Sequence, residues 1–318
     1  MNAKRLVEVM GGEAFVEMMA SQIGNLMKEC ARRVIMGFPA FQFHNEFTIK
    51  GLKEDGSPDK VSKADIAASD MYQKLITEQF VKPFGFGLIG EEHKLNIPCA
   101  LEGMDIYFVF DPYDGTSALD RKQSHGIGTM SALVVNGKVV AVCIGDVNSQ
   151  EMYYFRPGSS KTHRLLLRQE RVQPMVANPE TPLREQYLLL RSMLHRRSKI
   201  VQDMVHTGLF KDAETADGSI GISMARLWKG EVGGTVTAMK TQTPWDVTPV
   251  IGMNQRLGYV HLRIVPYRPH GASPLIERFD PVVPKTIVEE PYEVLTIHES
   301  RLTELNSWCI CQRISAKF

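Results

Sequence analysis

No apolar run in the 318 residues approaches the roughly 20 that a membrane-spanning helix needs. Lys4-Arg5 ahead of Leu6-Val7 briefly imitates a secretion signal, but Glu8 and Glu13 interrupt any apolar region. Cysteine is sparse, with Cys30, Cys99, Cys143, Cys309 and Cys311 scattered along the chain. That odd count excludes a disulfide framework and points to a reducing, cytoplasmic setting. Cys309 and Cys311 are expected in a strand, pointing to one face, and lack the C-x-x-C spacing of a zinc or redox site. Neither sign of charge is in excess, with 37 Lys+Arg against 36 Asp+Glu and a formal net charge of +1. The balance excludes a global electrostatic footprint for nucleic acid or an anionic membrane. Internal repeats, low-complexity tracts and a P-loop string are absent. Gly85-x-Gly87 and Gly126-x-Gly128 lack the third glycine of a dinucleotide site, and the nine histidines form no His-x-x-x-His zinc pair.

Hydrophobic residues at 43 % and charged residues at 23 % describe a globular chain with a sizeable core. The length suggests two lobes, residues 1–185 and 186–318. Phe15, Met18, Met19, Ile23, Leu26, Met27, Cys30 and Val34 form one stripe of a helix over residues 14–36. Residues 41–59 read as a hairpin around a turn at 54–58, and a second helix starts near Ser62. Strands are expected at 86–89, 106–110, 131–135, 139–144, 152–155 and 187–190, with Asn136-Gly137 as a hairpin turn. Helical patterns cover 220–228 and 247–257. From Pro266 to Pro291 the chain holds six of its 17 prolines, which predicts an irregular excursion. Strands alternating with helices, together with a hairpin, predict a layered α/β fold with a mixed sheet.

Acids at strand ends carry the functional signal. Asp111-Pro112-Tyr113-Asp114-Gly115-Thr116-Ser117 directly follows the apolar strand 106–110, and open α/β sheets place ligands beyond the carboxyl ends of strands. If a helix starts after Gly115, its amides form an anion cradle. Carboxylates beside a phosphate-sized cradle make electrostatic sense only with a cation between them. The competing reading is that Asp111 or Asp114 simply caps a helix. Glu91-Glu92 follows another short strand and is either solvated or neutralised by a cation. Asp246, at the start of a helix in Trp245-Asp246-Val247-Thr248-Pro249, and Asp65, three residues after Ser62, are each explicable as helix-start acids.

Taken in order, Asp65, Gly90-Glu91-Glu92, Asp111-Pro112-Tyr113-Asp114-Gly115-Thr116 and Trp245-Asp246 resemble the inositol monophosphatase family of metal-dependent, lithium-sensitive phosphatases. That superfamily includes fructose-1,6-bisphosphatase and 3′-phosphoadenosine-5′-phosphate phosphatase. The resemblance implies an α/β/α/β/α layered sandwich, a homodimer, a small phosphorylated metabolite as substrate and Mg²⁺, or Mn²⁺, as cofactor. It implies one metal on Glu91, Asp111 and the Tyr113 carbonyl, a second on Asp111, Asp114 and Asp246, and a third near Glu91 with Asp65 in its outer shell. Thr116 would work with the Glu91 side to activate water, Glu92 would support, and the amides of Gly115, Thr116 and Ser117 would hold phosphate. Gly218-Ser219 leads a helix much as in the family, which makes Ser219 a candidate substrate contact. The all-oxygen donor set itself suits Mg²⁺ or Mn²⁺ over zinc.

Two basic groups, Arg121-Lys122 and Arg191 with Arg196-Arg197-Lys199, read either as solvated faces or as a second phosphate site. The second reading would favour a sugar or nucleotide bisphosphate over inositol monophosphate. Histidinol phosphate is a further substrate alternative, and a catalytically silent scaffold of the same fold is the alternative outside enzymes.

Overall fold

Helix α1 (Glu13–Phe41) runs past the expected end at Met36. Its stripe of Ile23, Leu26, Met27, Cys30 and Val34 is buried as the spacing requires, whereas Met18 stands 46 % exposed. The computed structural model describes residues 13–41, 46–52, 58–177, 180–238, 241–265, 274–289 and 291–318. The signal-like start, most of the 54–58 turn and residues 266–273 of the proline-rich stretch lie outside them.

Strands β1 (Phe47–Leu52) and β2 (Pro58–Ser62) pair antiparallel as the expected hairpin. Ser62 caps α2 (Lys63–Ile76), which continues through a π-turn at Thr77–Val81 and a last turn at Lys82–Phe84. Then come β3 (Gly87–Gly90), β4 (Asn96–Ile97), β5 (Ile106–Asp114), the short helix α3 (Thr116–Asp120), β6 (Gly128–Val135), β7 (Lys138–Asp146), β8 (Glu151–Phe155), β9 (Thr162–Leu166) and β10 (Arg171–Met175). These strands make one eight-stranded sheet in the order β10-β9-β8-β7-β6-β5-β3-β4. All its described pairings are antiparallel except β3 with β5, which run parallel. Asn136 and Gly137 both take positive φ in the β6–β7 turn, as a two-residue hairpin loop of type I′ demands. The core beneath this sheet joins α1 and α2 side chains to Phe108, Phe110, Leu133 and Cys143.

The second half of the chain gives β11 (Tyr187–Leu190), α4 (Lys199–His206), β12 (Asp212–Thr215), α5 (Ile220–Trp228), β13 (Gly234–Ala238), β14 (Thr241–Gln242), α6 (Pro244–Leu257), β15 (Tyr259–Val265), β16 (Leu275–Phe279), β17 (Val288–Glu289), β18 (Glu293–His298), α7 (Leu302–Gln312) and β19 (Ser315–Lys317). A seven-stranded mixed sheet has the order β12-β11-β13-β18-β15-β16-β19. Its core includes Leu188, Leu190, Leu262, Ile276, Leu295 and Trp308. The chain divides into two compact units, and Gly218–Ile222 and Pro244–Met253 group with the first.

Two expectations are overturned. Cys309 and Cys311 lie in helix α7, not in a strand, so two positions of separation turn them to different sides: Cys309 is buried and Cys311 exposed. The proline-rich stretch is not wholly irregular. Its Leu275–Phe279 segment, free of proline, pairs antiparallel with β15 and buries Leu275 and Ile276. Helix α6 also begins earlier than expected, so Pro249 falls in its second turn, beyond the first-turn position where a missing N–H costs nothing.

Phe108 is fully buried, with ring centroids 5.4 Å from Phe80 and 6.2 Å from Phe86. Phe108→Ala should cost about 3–5 kcal/mol of stability, measurable as a lowered urea-unfolding midpoint.

Candidate metal centre

Strand β5 delivers the site. Its apolar residues are buried throughout, and the strand ends in two acids because Pro112 and a bulge between Asp111 and Asp114 turn the chain out of register with β6. Asp111 and Asp114 are 2 % and 7 % exposed. Carboxylate oxygens of Asp111, Asp114 and Asp246 lie within 4.8 Å of one another. Asp246 comes from the first turn of α6, in the segment that groups with the first unit.

Each acid is held by its neighbours. Tyr113 donates its backbone N–H to Asp111 Oδ1 at 3.0 Å. Asp114 Oδ2 accepts from the Ser219 hydroxyl at 2.5 Å and from the Gly221 N–H at 3.1 Å. Ser219 in turn donates its N–H to the Gly126 carbonyl at 2.8 Å. Two glycines allow this closeness. Gly115 (φ +98°) and Gly218 (φ +82°) both adopt left-handed backbone, and a Cβ on either would strike the Gly126 carbonyl oxygen.

A second group lies around Asp65. Ser62 and Asp65 form a capping box: the Ser62 N–H donates to Asp65 Oδ2 at 2.7 Å, and the Asp65 N–H donates to the Ser62 hydroxyl at 3.1 Å. The Ser62 hydroxyl also contacts the Asp65 carboxylate. Thr116 donates from Oγ1 to Asp65 Oδ1 and to the Tyr113 carbonyl, both at 3.3 Å. The resemblance pairs this threonine with the Glu91 side; its side-chain partner here is Asp65.

Sequence reasoning missed Lys50. Its ammonium sits 2.8 Å from Glu91 Oε1 and 3.0 Å from Glu92 Oε1, neutralising the adjacent acids from strand β1. Burial opposes the lysine charge, but Glu91 and Glu92 outweigh it and hold the amine above its ordinary value. Nothing local to the Gly90-Glu91-Glu92 motif signals a partner brought in by an earlier hairpin.

Of the remaining candidates, Gly115 caps α3, Thr116 and Ser117 open it, and Ser117 is exposed. Arg121 is exposed and donates from Nε to the Ser117 carbonyl at 3.2 Å. Arg196 lies exposed in the turn Leu194–Arg196 of the second unit. Its neighbour Arg197 is buried and paired with Glu293 at 3.7 Å, which gives that arginine a structural task.

The electrostatics favour a cation. Burial, then the charges of Glu91, Asp114, Asp246 and Asp65, push the Asp111 carboxyl well above the usual carboxylate range. Burial first, with Glu91 and Glu92 adding, raises Asp65 to about 7 despite the Ser62 hydrogen bonds. Buried like charges of this density demand protons or a bound cation, and the hard-oxygen donors suit Mg²⁺ or Mn²⁺. The residues present fit such an ion.

The sequence model of the inositol monophosphatase family matches residues 25–277. The chain belongs to that family. Among solved structures, it is similar to the extragenic suppressor protein SuhB of Bartonella henselae (16 % identity, TM-score 0.64, covering 90 % of this chain and 98 % of that one). It is also similar to an IMPase/NADP phosphatase complexed with Mg²⁺ and phosphate (16 %, 0.62, 91 % and 95 %). A third is a staphylococcal inositol monophosphatase-1 in an inhibitory complex soaked in LiCl (16 %, 0.60, 90 % and 94 %). At these identities the likeness establishes the shared mixed α/β fold. No curated protein sequence matches the chain significantly. Among the described residues, no helix is long and apolar enough to cross a membrane.

Two outcomes follow from this geometry. Mg²⁺ at 100 times its dissociation constant should stabilise the protein by about 2.7 kcal/mol, and Asp111→Asn should abolish most of that gain in a thermal-shift titration. For Asp65, a pKa raised in the fold means stability that is fully present below about 3.8 and lost as pH rises through about 7. Metal-free protein should therefore lose more stability between pH 5 and 8 than its Asp65→Asn variant, measured by urea unfolding.

Proposed function

We propose that this protein is a metal-dependent phosphomonoesterase acting on a small phosphorylated metabolite of the inositol monophosphate type. The observation that carries this reading is the buried convergence of Asp111, Asp114 and Asp246 at the end of β5. Glu91, Asp111 and the Tyr113 carbonyl would hold one Mg²⁺, or Mn²⁺, and Asp111, Asp114 and Asp246 a second. Bound there, the ions would supply Lewis-acid stabilisation of charge on the phosphoryl oxygens and a lowered water pKa.

The chain's own groups account for the rest. Thr116 and Asp65 would form a proton path, since the threonine hydroxyl donates to the Asp65 carboxylate at 3.3 Å and a positioned carboxylate can take a proton from a reacting group. Backbone amides of Gly115, Thr116 and Ser117 would orient the phosphate and oppose its growing negative charge. Ser219 serves by holding Asp114 in place through its hydroxyl. Lys50 keeps Glu91 and Glu92 from repelling each other. Arg121 and Arg196, both exposed, are the weaker candidates for substrate selection.

A silent scaffold would have no need of so many buried carboxylates, whose mutual repulsion is destabilising without a ligand. The test is a phosphate-release screen with Mg²⁺ across inositol phosphates, sugar bisphosphates, phosphoadenosine phosphates and histidinol phosphate. Turnover of a monoester is expected, falling roughly 10²–10³-fold in Asp111→Asn, the scale of losing one preorganised electrostatic contact. Full Mg²⁺-dependent activity in that variant would falsify the assignment.

A further inference from the structure

Helix α1 and the β8–β9 hairpin enclose a second polar cavity that shares no residue with the acidic centre. It has a volume of about 180 Å³, and its lining includes Ser21, Asn25, Lys28, Tyr154, Arg156 and His163. A single water needs only roughly 10–15 Å³, so the space admits a small molecule.

The lining is cationic. Lys28 enters from α1, Arg156 from the residue after β8, and His163 from β9. Glu17 takes one arm of the arginine, with Nη2 at 2.7 Å from its Oε1. The other arm, Nη1, is buried without a hydrogen-bond partner, and so is His163 Nδ1. Lys28 Nζ lies 5.1 Å from the centre of the Tyr154 ring, and that ring stacks on His163 at 5.4 Å. Burial, and then Lys161, Lys28 and Arg156, hold the His163 imidazole below its ordinary value. Gly24 lets the arginine approach the helix: an added Cβ there would meet Arg156 Cβ at 2.9 Å.

Lys28 and Arg156 bring an ammonium and a guanidinium to the lining of one polar cavity, and a buried polar group left without a partner, as Arg156 Nη1 is, is costly. A guanidinium edge matches two oxygens of an oxyanion, and an ammonium matches a third as a point charge. A flat carboxylate offers two oxygens in one plane. A phosphate spreads its oxygens in space, which suits cationic groups arriving separately from helix α1 and from the turn after β8. We propose that this cavity binds a phosphate group, free or carried by a small metabolite, at a site separate from the acidic centre.

The proposal is independent of the catalytic reading, and its test keeps the two apart. Full-length protein, stripped of divalent ions with EDTA, is titrated with inorganic phosphate by calorimetry at constant ionic strength. Saturable binding is expected, unchanged in Asp111→Asn and weakened at least about tenfold in both Lys28→Gln and Arg156→Gln, the scale of losing a charge-assisted contact. Acetate at the same concentrations should bind more weakly. Glycerol phosphate in a parallel arm separates the sources: tighter binding than inorganic phosphate identifies an organic ester, and weaker binding identifies the free ion. Phosphate binding that is absent, that survives in Lys28→Gln, or that disappears in Asp111→Asn overturns the proposal. Arg156 packs on Gly24, so if Arg156→Gln disturbs the circular dichroism spectrum, Lys28→Gln decides the matter by itself.

Discussion

The Asp111 carboxyl is buried at the end of a wholly buried strand, with Glu91, Asp114, Asp246 and Asp65 all acting on it electrostatically. An uncompensated buried charge costs several kcal/mol, a large part of the roughly 5–15 kcal/mol that separates a folded domain from its unfolded chain. The surrounding structure therefore has to fix the acids against their own repulsion. It does so with main-chain and hydroxyl donors, from Tyr113 to Asp111, from Ser219 and Gly221 to Asp114, and from Ser62 to Asp65. Each donor removes some freedom that the carboxylates would use to move apart. A cation there would find these carboxylates already placed, and the repulsion that strains the bare site would favour its binding.

The close approach of backbone explains the glycines as well as the acids. Gly115 and Gly218 crowd against one carbonyl, that of Gly126, which also accepts from the Ser219 N–H. That contact ties the start of α3 to the start of α5, so the hydroxyl holding Asp114 is positioned by the same turn that would present phosphate-binding amides. Structural and chemical demands meet in these few residues, and a side chain at either glycine would disturb both.

Two acidic groups of the first unit are managed in different ways. Glu91 and Glu92 carry a built-in counter-charge in Lys50. Asp65 is held by a helix cap and a threonine, contacts that orient its carboxylate without neutralising it. One group is thus held by an ion pair and the other by neutral donors.

Much of the site is legible in the amino-acid sequence. The Asp-Pro-Tyr-Asp-Gly-Thr string stands at a strand end, and strand-end turns are local events written in a few adjacent residues. The α1 stripe, the Ser62 cap and the Asn136-Gly137 turn are readable for the same reason, since helical and strand periods repeat over short distances. Locality also sets the errors. Cys309 and Cys311 fit a two-residue period, but the helix α7 around them is decided by burial of Leu305, Trp308 and Cys309 in the second core. Leu275–Phe279 lies among prolines, yet pairing with β15 makes it a strand. Lys50 and Asp246 show the boundary most clearly. Sequence alone determined which residue types were available and where single turns would form. The local pattern made Asp246 only a helix-start acid, and the family resemblance was needed to group it with Asp111. Only the tertiary structure decided that a lysine from an early hairpin would meet Glu91 and Glu92, because such meetings depend on long-range packing that no local period encodes.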